Sequence, residues 1–251
     1  MYPISASPVR LYGRAFSRLF FPETCPLCGF GLRTWEYQVC GACETLLVEL
    51  REPLCLSCAG ELPAFSGLSL CGDCSRSRIH IDRVWSLFAY NDAFKKIIHR
   101  VKFGGKPALL RVFEPGLRDF LQKNDWPELD VIVPVPMDRL KLWKRGFNQS
   151  YLLSLMVGDT LQIPVNRRLL KKKITSVPQS SLAKDKRLSN VSGSFTVARP
   201  EWVLNRNILL VDDIHTTGAT LNECAKVLKQ AGALSVSAFA LAKARWDRGE
   251  S

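Results

Sequence analysis

The sequence predicts an α/β protein, a mostly parallel sheet flanked by helices, preceded by a small cysteine-rich metal module. Three observations carry this. Eight of the nine cysteines fall before residue 75, in four C-x-x-C pairs. The rest of the chain alternates apolar runs of strand length with runs of helix length, the order of strand–helix–strand units. Two of those runs, "DVIVPVP" and "NILLVDD", have apolar cores without alternation, as strands covered on both faces do.

Residues 1–24 form the first expected element. Leu11, Ala15 and Leu19 share one helical stripe, Tyr12, Phe16 and Phe20 lie beside it, and Arg10, Arg14 and Arg18 make another. This is an amphipathic, basic helix ended by Pro22. Such a helix packs on its own protein or touches an anionic membrane surface, so peripheral membrane contact stays open. It lacks acids before Glu23, as transit peptides do, but has neither the apolar stretch nor the cleavage site of a secretory signal. No apolar run approaches the roughly 20 residues that span a bilayer. A soluble, cytoplasmic protein is expected.

Residues 25–78 form the second element. The pairs Cys25/Cys28, Cys40/Cys43, Cys55/Cys58 and Cys71/Cys74 are separated by 11, 11 and 12 residues. The segment is rich in Gly and Pro and too poor in periodic apolar residues to fold on burial alone. In an unsecreted chain, such pairs favour metal over disulfides. Four thiolates suit one tetrahedral Zn²⁺ and leave no position for a reacting water, so two structural zinc ions are expected. The second half repeats the first at an offset of 30 residues for Cys25 and Cys28, and 31 for Cys40 and Cys43. That favours two consecutive ribbons, although a cross-braced arrangement fits the spacing as well. Cys224 stands apart, on a helical face with Leu221, Val227 and Leu228, and reads as a small core residue.

Residues 79–251 form the α/β domain. "VWSLFAY" reads as a strand and "NDAFKKIIHRVKF" as a helix capped by Asn91 or Asp92 and stopped by Gly104 and Gly105. A helix around Leu109 to Leu121 precedes the strand "DVIVPVP", and a helix from about Ser150 to Leu161 follows it. The next stretch, "KKKITSVPQSSLAKDKRLSNVSG", is polar and without useful periodicity, which inside a compact domain suggests a functional loop. "NILLVDD" is a strand, "GATLNECAKVLKQAG" a helix stopped by Gly232, and "LSVSAFALA" a last strand.

Charge is uneven. The chain carries +12, and from Arg139 to Arg187 twelve Lys or Arg face only Asp159 and Asp185, leaving +10 there. That half should attract phosphates, unless it is simply a solvated surface.

The sharpest local signal is "ILLVDDIHTTGAT", residues 208–220. An apolar strand carries two carboxylates at its carboxyl end and opens through a Thr/Gly/Thr loop into a helix, where ligands of open α/β sheets bind. Backbone N–H groups from Thr216, Thr217, Gly218, Ala219 and Thr220 can wrap a phosphate, and the threonine hydroxyls add donors. Gly218 lets the backbone come close. Asp212 and Asp213 beside an anion make sense if a sugar lies between, since carboxylates accept hydrogen bonds from ribose hydroxyls. A ribose 5-phosphate satisfies both halves. Direct Mg²⁺ binding of the Walker kind lacks its Gly-rich loop and Lys, and a plain helix cap at Asp212/Asp213 leaves the threonines unexplained.

This stretch resembles the phosphoribosyl-diphosphate (PRPP) loop of type I phosphoribosyltransferases. With "VPVPMDRLKLWKRGFNQS", "PQSSLAKDKRLSN" and the four cysteine pairs, the chain resembles the ComF/GntX family of competence-associated proteins from about Phe21 to Lys243. The resemblance implies a type I phosphoribosyltransferase-like sheet behind a double zinc ribbon. It implies that Asp212 and Asp213 hold the ribose hydroxyls and Thr216–Thr220 the 5-phosphate. Arg139, Arg145, Asn148 and Gln149 would face the diphosphate, and residues Gln179 to Asn190, with Lys184 and Arg187, would close over it. In a working transferase Arg145, Lys184 and Arg187, with Mg²⁺ held by substrate oxygens, would stabilise the charge growing on departing diphosphate. His215 departs from the apolar or aromatic residue often found there.

Three functions follow from the resemblance. One is a PRPP-binding protein of DNA uptake that handles single-stranded DNA, with Trp143 and Phe147 among the basic residues as stacking candidates. Another is a phosphoribosyltransferase acting on an unidentified amine or base. The third is a zinc-ribbon adaptor binding another DNA-uptake protein, against which the intact Asp212, Asp213 and Thr216–Thr220 argue.

Overall fold

The computed structural model describes residues 24–32, 39–173 and 193–244. The helix expected over residues 1–24 lies outside them.

Cys40 and Cys71 each open a short helix, α1 (Gly41–Glu44) and α2 (Gly72–Arg76). The first strand, β1 (Val84–Ala89), leads into α3 (Asp92–Phe103), whose start is capped by the Asn91 side chain accepting from the Phe94 amide. Phe94, Ile97, Ile98 and Val101 recur at helical spacing and are buried, which fixes the inward face. The helix expected over Leu109 to Leu121 is split into a 3-10 turn, Pro107–Phe113, and α4 (Glu114–Lys123). Pro115 is the reason: it has no N–H to continue the ladder through this point.

After β2 (Val131–Pro134) comes a further helix, α5 (Arg139–Arg145). Asp138 caps it through the Leu140 and Lys141 amides, and Gly146 ends it at φ +80°. It buries none of its residues, so it has no apolar stripe to read. Asn148 caps α6 (Gln149–Leu161). Two three-residue strands, β3 (Leu170–Lys172) and β4 (Phe195–Val197), pair antiparallel outside the main sheet, at the two ends of the polar stretch. Then come β5 (Asn207–His215), α7 (Ala219–Gln230) and β6 (Ser235–Lys243).

The main sheet is four-stranded, entirely parallel, and ordered β1-β6-β5-β2. Its two central strands are covered on both faces, which accounts for their unbroken apolar runs. Leu209, Val211, Phe239 and Leu241 pack with α3, α4 and α6; Ile208, Leu210, Val236 and Ala238 pack with α7. Each of these side chains but Ala238, fully buried, contributes about 1.5–3 kcal/mol.

Both sheet edges are covered. Beside β1, the Leu50 amide donates to the Leu87 carbonyl at 2.9 Å and the Ala89 amide to the Val48 carbonyl at 2.8 Å. Beside β2, the Ile132 amide donates to Pro164 and the Asn166 amide to Ile132. The segment between the two cysteine quartets thus extends the sheet and protects its edge.

Candidate functional site

The eight cysteines of the C-x-x-C pairs form two consecutive quartets, Cys25/Cys28/Cys40/Cys43 and Cys55/Cys58/Cys71/Cys74, each with its sulfurs within 4.8 Å of one another. The repeat extends to the backbone. Cys25 N–H donates to Phe30 at 2.7 Å and Cys55 N–H to Gly60 at 2.8 Å, so each first pair turns in the same way. Zn–S bonds of about 2.3 Å place tetrahedral ligand sulfurs about 3.8 Å apart. Cys28 and Cys40 lie 3.6 Å apart, and Cys58 and Cys71 lie 3.8 Å apart, so both quartets fit Zn²⁺. Burial opposes ionisation of Cys25 and Cys71, but backbone N–H groups outweigh it and bring them to about 6 and about 7. Burial pushes Cys58 up to about 11.

The second centre lies where β5 ends. Asp212 and Asp213 are consecutive strand residues, so their side chains leave opposite faces of the sheet. Asp212 Oδ1 accepts from Ser150 Oγ at 2.8 Å and from the Asp213 amide at 2.9 Å. Desolvation, then the charge of Asp213, raise the Asp212 carboxyl to about 7, against the pull of Ser150 and Lys102. Asp213 is buried, and its Oδ2 meets Lys102 Nζ, from the last turn of α3, at 2.5 Å.

The loop between β5 and α7 comprises Thr216, Thr217 and Gly218, with both threonines exposed. Gly218, at φ +78°, starts α7 without a side chain to cap it, leaving first-turn amides for an anion, though Thr217 Oγ1 accepts from Ala219 N at 3.3 Å. Thr220 lies in that first turn. Beneath the loop His215 is buried, and burial followed by the Lys243 charge push its imidazole down to about 3. Lys243, at the end of β6, donates to the Thr216 carbonyl at 2.8 Å. Burial lowers its pKa while the thiols of the second quartet, Cys58 first, oppose this, so it sits between the zinc module and the loop.

The other expected residues divide. Arg145 lies within reach of the Asp213 charge, which opposes the burial that lowers the guanidinium's pKa. Its guanidinium also lies 5.5 Å from the ring centre of Phe103. Asn148 serves the backbone, donating to the Val135 carbonyl at 3.0 Å and accepting from Ser150 N at 3.1 Å. Gln149 is buried, and its Nε2 has no acceptor among the described residues. Arg139 is exposed at the start of α5. Gln179, Lys184, Arg187 and Asn190 lie outside the described residues. Lys102, Ser150 and Lys243 join the site without a sequence signal that marked them. Ser150 stands at a helix start and Lys102 at a helix end, where each has an ordinary local reason to be.

A parallel sheet with twin acids and a Thr/Gly/Thr turn at the carboxyl end of a central strand, behind two cysteine quartets, has known counterparts. Residues 16–75 match the double zinc ribbon domain, and residues 163–251 match the phosphoribosyl transferase domain. Fold and site define a type I phosphoribosyltransferase-like protein with an N-terminal double zinc ribbon. Competence protein ComFC of Bacillus subtilis is 30% identical over 213 residues, 82% of this chain and 84% of that protein. Competence protein F of Haemophilus influenzae is 29% identical over 231 residues, 90% and 99% of the two chains. DNA utilization protein YhgH of Escherichia coli is 28% identical over 229 residues, again 90% and 99%. The chain belongs to the ComF family.

Proposed function

We propose that this protein binds PRPP with Mg²⁺ at the junction of β5 and α7, and acts in the uptake of DNA, handling single strands in the cytoplasm. The observation that carries the first part is the joint placement of two carboxylates and an uncapped helix start at one strand end. Carboxylates accept from ribose hydroxyls, and first-turn amides with the Thr216, Thr217 and Thr220 hydroxyls donate to the 5-phosphate. Arg145, Lys184 and Arg187 serve the diphosphate, whose oxygens hold Mg²⁺. Zinc is structural, because every ligand of both quartets is a thiol. The units proposed are 1–24, the ribbons 25–78 and the sheet domain 79–251.

The relatives' names support the second part, as does α5. Arg139, Lys141 and Lys144 are exposed there, and Trp143 is 82% exposed among them, a flat ring amid phosphate-binding charges. Phe147 is half-buried against the core, which leaves Trp143 the more accessible ring. Asp213→Asn should abolish PRPP binding and leave salt-sensitive single-stranded DNA binding intact. Joint loss of both in a folded variant would contradict two separate sites.

Arg145, within reach of the Asp213 charge, favours a second reading, transfer of ribose 5-phosphate to an amine or base, with Arg145 stabilising the departing diphosphate. Diphosphate release from PRPP over a panel of amines and bases decides it. No release with any acceptor leaves the binding role alone.

A further inference from the structure

Resting on that reading of the site, we infer that Lys102 is a further PRPP-binding residue, which holds Asp213 until ribose hydroxyls take that carboxylate and then serves the diphosphate. Lys102 belongs to the last turn of α3, where a lysine ordinarily extends over the terminal carbonyls into solvent. Here its side chain is 22% exposed and its ammonium forms an ion pair with the 11%-exposed Asp213 side chain on a distant strand. A largely buried pair of this kind offsets its own desolvation poorly, so stability alone does not account for it.

The surroundings point the same way. Phe103, the next residue, stacks on His99 at 4.6 Å and lies under the Arg145 guanidinium, which brings the ends of α3 and α5 together. Lys102 pairs with Asp213 and also pulls on Asp212, while the Arg145 guanidinium feels the Asp213 charge, so two cations already stand where PRPP would bring its diphosphate. Its ribose hydroxyls and its diphosphate stand on neighbouring carbons of one ring. An ammonium in contact with the carboxylate that accepts those hydroxyls is therefore within a side-chain rotation of the diphosphate. Ribose 5-phosphate, which lacks the diphosphate, offers Lys102 no such exchange.

That difference supplies the test. Calorimetric titrations of PRPP and of ribose 5-phosphate, each with Mg²⁺, into the full chain would compare the wild type with Lys102→Met and Lys102→Arg. The expected result is PRPP affinity weakened about tenfold or more by Lys102→Met, with ribose 5-phosphate affinity not weakened and Lys102→Arg close to wild type. Lys102→Gln, which keeps a donor to Asp213, replaces Met should that variant fail to fold. An equal change for both ligands, or none for either, overturns the inference and leaves Lys102 as a tether of Asp213. A wild type that binds neither ligand overturns the site reading itself, and the inference with it.

Discussion

A methyl group added to Gly218 would lie 2.8 Å from Nε2 of His215 and 3.3 Å from its Cε1. The turn that starts α7 therefore rests directly on a buried imidazole, and the backbone there is left-handed as well, at φ +78°. Two costs follow for Gly218→Ala, a steric one and a conformational one of about 1–2 kcal/mol. The variant should lose about 1–3 kcal/mol in urea denaturation. Combined with His215→Ala, the same substitution should cost less, because only the backbone part remains. Equal costs in both backgrounds would mean that His215 does not support the loop.

The pH dependence of stability has two opposed contributions at this strand end. His215 titrates at about 3 in the folded chain against 6.5 unfolded, so its contribution is present above pH 6.5 and is lost as pH falls towards 3. Asp212 titrates at about 7 against 3.8, so the folded chain binds more protons in that window and stability falls as pH rises through it. Asp212→Asn should therefore gain on the wild type at pH 8 and lose that gain towards pH 4. His215→Phe should flatten the acid limb. Denaturant midpoints across pH 4 to 8 check both, and an Asp212→Asn curve parallel to the wild type would contradict the assignment.

Zinc stoichiometry reads the quartets directly. The wild type should hold two ions, and a variant with Cys25, Cys28, Cys40 and Cys43 all changed to Ser should keep one, by elemental analysis of the purified protein. A cross-braced module would lose both. Chelation should also lower thermal stability, since the ribbon segments bury too little to fold without metal.

Trp143→Ala tests the exposed face of α5. With its ring in solvent the substitution should shift folding stability by no more than about 0.5 kcal/mol, while weakening single-stranded DNA binding by about 1–3 kcal/mol. Fluorescence anisotropy with a labelled oligonucleotide at two salt concentrations measures this. Unchanged affinity would remove α5 from the DNA-contacting surface.

Much of this was legible in the chain. Ile208 to Val211 read as a buried strand because nothing in that run can face water, and the offsets of 30 and 31 residues anticipated consecutive quartets. What escaped depends on distant packing or lacks a pattern. Lys102 meets Asp213 only because α3 folds back onto the sheet, and no local rule brings the end of that helix to the end of β5. α5 has no apolar stripe, and β3 and β4 are too short to alternate detectably. The opposite facing of Asp212 and Asp213 follows from strand geometry once β5 runs on to His215, past the apolar run that marked it.

Titration of the full chain with PRPP in the presence of Mg²⁺, followed by calorimetry, tests the central claim most directly. Saturable binding at one site per chain, lost when Asp213 is changed to Asn, is the result expected. Absence of heat with the wild type, or binding that survives in Asp213→Asn, would contradict a sugar-phosphate site at the end of β5.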